Sequence, residues 1–144
     1  MRIVAQGLLL AVSLAVTASA FADDQDVIDY RKHIMKSMDE QLAAIHMILE
    51  KKAPADNFAV HLQILAVVAT EAKSAFEPKV PGGNSKPEVW SNWADFAKRL
   101  DGLVSSTADL AKAAQADGVA AVGPRLQSAL DCKSCHDLYM LPAK

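Results

Sequence analysis

Cys132-Lys133-Ser134-Cys135-His136, close to the C-terminal end of the chain, is a Cys-x-x-Cys-His run, the pattern of covalent attachment of a c-type haem. Two thiols add across the two vinyl groups of a haem, and the histidine that follows supplies an axial nitrogen to its iron. On a helix each residue advances the direction by about 100°, so Cys132, Cys135 and His136 fall within one arc of about 100°. One helix face can then hold both the edge of the macrocycle and its metal. These are the only two cysteines in the chain. Three other readings compete: a structural disulfide, a thioredoxin-like redox pair and half of a zinc site. A redox pair calls for a βαβ context, and a zinc site calls for a fourth ligand at recognisable spacing; neither is found in the sequence.

At 144 residues the chain is long enough for one domain with a real core. Residues 1–22 have the layout of a secretory signal peptide: one positive charge at Arg2, an apolar run from Leu8 to Val16, and small residues at Ala18-Ser19-Ala20. The run is too short for a transmembrane span. Cleavage would follow Ala20 or Ala22; the second leaves Asp23-Asp24 to begin a mature domain of residues 23 to 144. Without Arg2, 14 basic residues stand against 17 acidic ones, a net charge of −3. No basic patch points to nucleic acid, and the mature form is expected to be free of the membrane. Export agrees with the haem reading, because bacteria attach haem to Cys-x-x-Cys-His on the outer side of the cytoplasmic membrane, and it predicts a periplasmic protein. Export equally permits a disulfide.

Upstream, the pattern is helical throughout. Val27, Ile34, Met38, Leu42, Ile45 and Leu49 recur at helical steps from Asp24 to about Lys51, and Ala53-Pro54 ends the helix. A second helix is expected from about Asp56 to Phe76, with Phe58, Leu62, Leu65, Ala69, Ala72 and Phe76 on one side and a rather apolar remainder, which suggests contact on two faces. Glu77 to Lys86 is rich in Pro and Gly and reads as a loop. Ser85 and Glu88 have the form of a capping box, with Pro87 in the first turn. A third helix follows through Trp90, Trp93, Ala97, Leu100, Val104 and Leu110-Ala111, and stops at Asp117-Gly118. The last helix begins near Val119 or at Pro124 and runs through Leu126, Leu130, Cys132 and His136 to about Tyr139. Four helices with short connections predict an all-α antiparallel bundle, in which cofactor sites form between facing helices.

Three motifs, in order, carry a family likeness: Tyr30-Arg31 early in the first helix, Lys86-Pro87-Glu88-Val89-Trp90 at the start of the third, and Cys132 to His136 followed by Asp137-Leu138-Tyr139. The chain resembles the class II c-type cytochromes, the cytochrome c prime family with its low-spin relatives, over essentially all of residues 23 to 144. The resemblance implies a left-handed four-helix bundle with one haem c near the C-terminal helix and a periplasmic location; members of the family frequently pair into homodimers through the first two helices, and the sequence leaves monomer or dimer open. The resemblance further implies that Cys132 and Cys135 are the thioether anchors and His136 the proximal ligand, that Arg31 lies by the haem propionates, and that Glu88 and Trp90 border the haem edge. Without it, Arg31 would read as a solvated helix residue and Glu88 as a helix cap; Trp93 reads as core packing.

Met35 stands four residues after Arg31, on the same helix face, and matches the family's distal position, which holds either a blocking apolar side chain or a methionine. Ligation by Met35 gives a six-coordinate His/Met centre with a raised potential. A methionine that only fills space leaves the iron five-coordinate and open to NO or CO, and methionines on helices commonly serve as filler. Met38, one turn along, is the alternative ligand, and Met47 lies too far down the helix. His33 points about 200° away from Met35, while His46 and His61 carry no motif. The family's usual Arg or Lys four residues after the axial histidine is here Met140, which weakens the gas-binding reading. The sequence thus frames three functions. The first is a non-enzymatic periplasmic carrier passing single electrons between redox partner proteins. The second is a five-coordinate protein binding NO or CO. The third is a haem-free exported bundle closed by a Cys132–Cys135 disulfide.

Overall fold

The computed structural model describes residues 23–142. The export segment and cleavage sites read from residues 1–22 lie outside the described residues. Helix α1 spans Asp24–Leu49, α2 Phe58–Phe76, α3 Glu88–Ser91, α4 Trp93–Ala129 and α5 Cys132–Tyr139. A single 3-10 turn, Ala55–Asn57, leads into α2. Backbone geometry divides α4 at Gly118 (φ 72°, ψ −166°), a conformation that side chains other than hydrogen strongly disfavour. Four rods result: α1, α2, residues 93–117, and residues 119–129 continued by α5. They form a four-helix bundle, and among the described residues no helix is long and apolar enough to cross a membrane.

The rods follow from local chemistry. Asp23 accepts from the Asp26 amide at 2.9 Å while Asp26 accepts from the Asp23 amide at 3.3 Å, a reciprocal cap that satisfies two amides otherwise without helical partners. The α2 face expected from the sequence is the face that is buried, with Leu62, Ala69 and Ala72 at 0 % exposure. Its small side chains let α2 lie close to both α1 and α4, and its opposite side leaves Val60, Ile64 and Val67 exposed.

Three local expectations are corrected. The Ser85–Glu88 capping box does not form: Pro87 takes the cap position with no side-chain bond, while the Ser85 backbone bridges to Gly82 and Met140. The third helix, expected to run on through Trp90 and Trp93, breaks at Asn92 (φ −121°, ψ 42°) before α4 begins. The last helix, expected to run unbroken past Leu130 to Tyr139, is interrupted at Leu130 and Asp131. There Asp131 accepts from the Ser134 amide at 3.1 Å, and the Ser134 hydroxyl donates to the Asp131 carbonyl at 2.8 Å. An N-cap of this kind starts a new helix at Cys132. Pro124 lies inside the preceding segment, where its missing N–H leaves one helical carbonyl without its usual donor.

Residues 80–86 form a strap across one end of the bundle. Its backbone is tied to the end of α5 by Lys86 N–H to Tyr139 C=O at 2.9 Å and Leu141 N–H to Asn84 C=O at 2.8 Å. On the other side it presses on α1. Gly82 takes φ +138°, which residues with a Cβ rarely adopt, and a Cβ there would lie 2.6 Å from Ile28 Cδ1, so the isoleucine would have to shift.

Candidate functional site

Between α1 on one side and α4, α5 and the strap on the other lies a cavity of about 640 Å³. That volume is within the range of cofactor and ligand pockets. Its walls are mostly apolar, and Leu42, Leu65, Val89, Leu100 and Leu103 contribute to them. The new helix begun at Cys132 turns Cys132, Cys135 and His136 into one wall, while Arg31, Met35 and Met38 stand on the α1 side. The structure therefore brings together, from positions about 100 residues apart in the chain, every residue named for haem attachment and iron ligation.

Arg31 is the most constrained of them. The residue is 3 % exposed, and its guanidinium sits between two aromatic rings, 5.3 Å from the centroid of Phe76 and 5.1 Å from that of Trp90, within cation–π range. Nη2 donates to the Val80 carbonyl of the strap at 2.7 Å. Nη1 is buried with no hydrogen-bond partner among the described residues. Burial pulls the pKa of this group below its ordinary value, since a charge removed from water without a counterion is destabilised. A cation held this rigidly at a cavity wall, with one donor unused, fits an anionic group inside the cavity, and a haem propionate is such a group.

The thiols fit as well. Both are free. Burial beside the apolar wall pushes both up from the usual thiol value, reinforced at Cys132 by Asp131 and Asp39 and at Cys135 by Asp95. A thioredoxin-like pair has at least one thiol lowered towards neutrality, so the redox-pair alternative loses support. Among the described residues no group of three or more His, Cys, Asp or Glu side chains is disposed to hold a metal ion, which removes the structural basis for a zinc site.

Glu88 is exposed and Trp90 is half-buried, and neither lines the cavity; Val89 between them does. Trp90 instead stacks on Arg31 and donates its indole N–H to the Phe76 carbonyl at 2.9 Å. His33 and His46 are exposed, and the ring of His61 bonds Gln41 at 2.9 Å, away from the cavity. Met140 lines the cavity and is 37 % exposed. Charged groups absent from the sequence reading also border it: Lys32 and Asp39 of α1 and Arg99 of α4.

The family model described as Cytochrome C' matches residues 26–140, a span that includes the whole site. The chain belongs to the cytochrome c' family. Within that family it is 27% identical to cytochrome c' of Alcaligenes xylosoxydans xylosoxydans over 83% of this chain and 96% of that one. It is 28% identical to cytochrome c' of Rhodospirillum rubrum, over 88% and 90%. A solved structure of Alcaligenes xylosoxidans cytochrome c prime, a ferrous variant with bound NO, aligns with a TM-score of 0.74 at 25% identity, covering 85% of this chain and 99% of that chain. Like its family, the chain takes one covalent haem c, and the cavity, the two thiols and the orphaned guanidinium nitrogen fit it.

Proposed function

We propose that this family member is a periplasmic carrier of single electrons rather than an enzyme, with its haem iron bound by His136 and Met35. Bound haem c supplies a one-electron iron couple. The protein does the rest: Cys132 and Cys135 anchor the macrocycle by thioether bonds, His136 donates an imidazole nitrogen, and Arg31 offers its unused Nη1–H to a propionate. The observation that carries the reading is the position of Met35, one helical turn from Arg31 on the α1 wall, lining the same cavity as His136. A thioether ligand favours the ferrous state and suits outer-sphere electron transfer. Export through residues 1–22 belongs to the same proposal.

A second reading has its own support. Met35 also packs against the buried core, as filler methionines do, and the NO-bound relative suggests a gas-binding site in which Met35 only crowds an open iron position. Absorption spectra of the haem-loaded protein decide. The His/Met reading expects a low-spin ferric spectrum with a methionine-to-iron band towards the red, lost in Met35→Ala. A high-spin ferric spectrum that Met35→Ala leaves unchanged, with ready uptake of NO and CO, would transfer the assignment to the gas-binding reading.

A further inference from the structure

On the α5 side of the cavity a chain of polar side chains has no part in holding haem as described above. Arg99 Nε donates to Asp95 Oδ2 at 2.6 Å. The Tyr139 hydroxyl donates to that same Oδ2 at 2.6 Å, and Asn92 Nδ2 donates to the Tyr139 oxygen at 3.0 Å. Arg99 Nη1 reaches the Ser134 carbonyl at 3.5 Å. Tyr139 is buried, with its ring edge-on to Phe96 at 5.0 Å. Two residues of α4 thus grip α5 on both sides of His136, at Ser134 two residues before it and at Tyr139 three residues after it.

Stability alone is a weak account of this arrangement. The Asp95 and Arg99 side chains are each more than a third exposed, and solvent screening leaves such i,i+4 pairs little net worth. The geometry offers more. Two short bonds to one carboxylate oxygen fix the carboxylate, and the carboxylate fixes the planar guanidinium, whose fork geometry tolerates little rotation. Arg99 is thereby held at the wall that carries Cys135 and His136. A fixed cation beside an iron couple favours the state with less positive charge, which is the reduced one.

We propose that Arg99, clamped by Asp95 and Tyr139, is a positioning residue that sets the orientation of the His136 helix and holds a positive charge on that side of the haem, raising its reduction potential. The inference rests on His136 as the axial ligand and is independent of Met35.

The test is an equilibrium redox titration of the haem-loaded protein, with haem retention checked by haem staining of a denaturing gel. Arg99→Gln is expected to raise the oxidised-to-reduced ratio at a fixed ambient potential by roughly three- to tenfold, tenfold being 59 mV for one electron. Asp95→Asn, which removes a negative charge and keeps the shape, is expected to move the ratio the opposite way. Arg99→Lys keeps the charge and restores most of the wild-type ratio. A merely structural clamp would move both charge-changing variants in one direction. Shifts of the same sign, no shift in either, or no rescue by lysine overturn the proposal. Should Arg99→Gln fail to accumulate, Asp95→Asn decides: a lowered ratio supports the proposal and an unchanged or raised one overturns it. Failure of the axial assignment appears elsewhere, as a His136→Ala spectrum identical to wild type.

Discussion

The α2–α4 half of the bundle and the α1–α5 half are built to different standards. In the first, Leu62, Ala69, Ala72 and Ala75 are each 3 % exposed or less, and small side chains let the helices close on one another. In the second, the walls stand apart around about 640 Å³, a buried guanidinium lacks a partner for one nitrogen, and two thiols face the gap. One half finishes its own core. The other is a mould whose filling is haem, so the cofactor belongs to the packing of the protein as well as to its chemistry.

The difference can be broken most severely by removing the filling. Cys132→Ser with Cys135→Ser abolishes haem staining on a denaturing gel, and the loss of a ligand bound only by the native state lowers unfolding free energy in urea by roughly 4 kcal/mol or more. Retained covalent haem in that double variant would contradict the attachment site. Cutting into the self-sufficient half comes next: Leu62→Ala costs about 3 kcal/mol by the same measurement, because the close-packed site relaxes little around the space left, and the haem spectrum stays that of the wild type. A changed spectrum would mean that the two halves are not separable. The smallest effect sharpens the contrast by its sign. Arg31→Met lowers the stability of the haem-loaded protein by about 1–2 kcal/mol, through loss of a charge-assisted bond. In the cysteine-free background it is neutral or stabilising, because there it removes an uncompensated buried charge. The same sign in both backgrounds would show that the orphaned nitrogen does not await an anion.

The self-sufficient half was also the legible half. The apolar period from Phe58 to Phe76 is a property of neighbouring turns, and the face it marks is the face that is buried. Gly118 announced its break through a single residue whose backbone freedom the turn requires. The attachment motif was readable because its chemistry demands fixed spacing. What escaped the sequence reading depends on distant partners. Ser85 and Glu88 have the right spacing for a cap, yet Ser85 pairs with Met140 instead. The break before Cys132 was masked by Leu126 and Leu130, which continue the helical period, although Asp131 with Ser134 three residues on is itself a cap signal. Arg99 drew no notice in the sequence, since its link to α5 through Asp95 and Tyr139 crosses 44 residues. Trp90, expected to border the haem edge, does not line the cavity and stacks on Arg31.

The strap of residues 80–86 has a consequence for how the chain assembles. Its bonds join positions far apart in the sequence: Arg31 to Val80 across 49 residues and Lys86 to Asp137 across 51. The turn between α1 and α2 closes a short loop, while the strap must close two long ones, and each adds an entropic barrier that grows with loop length. By that measure the hairpin of α1 and α2 can form early and the mouth of the cavity late. A nascent chain would then hold its two thiols and His136 open to the enzymes that attach haem before the strap draws α1 and α5 together.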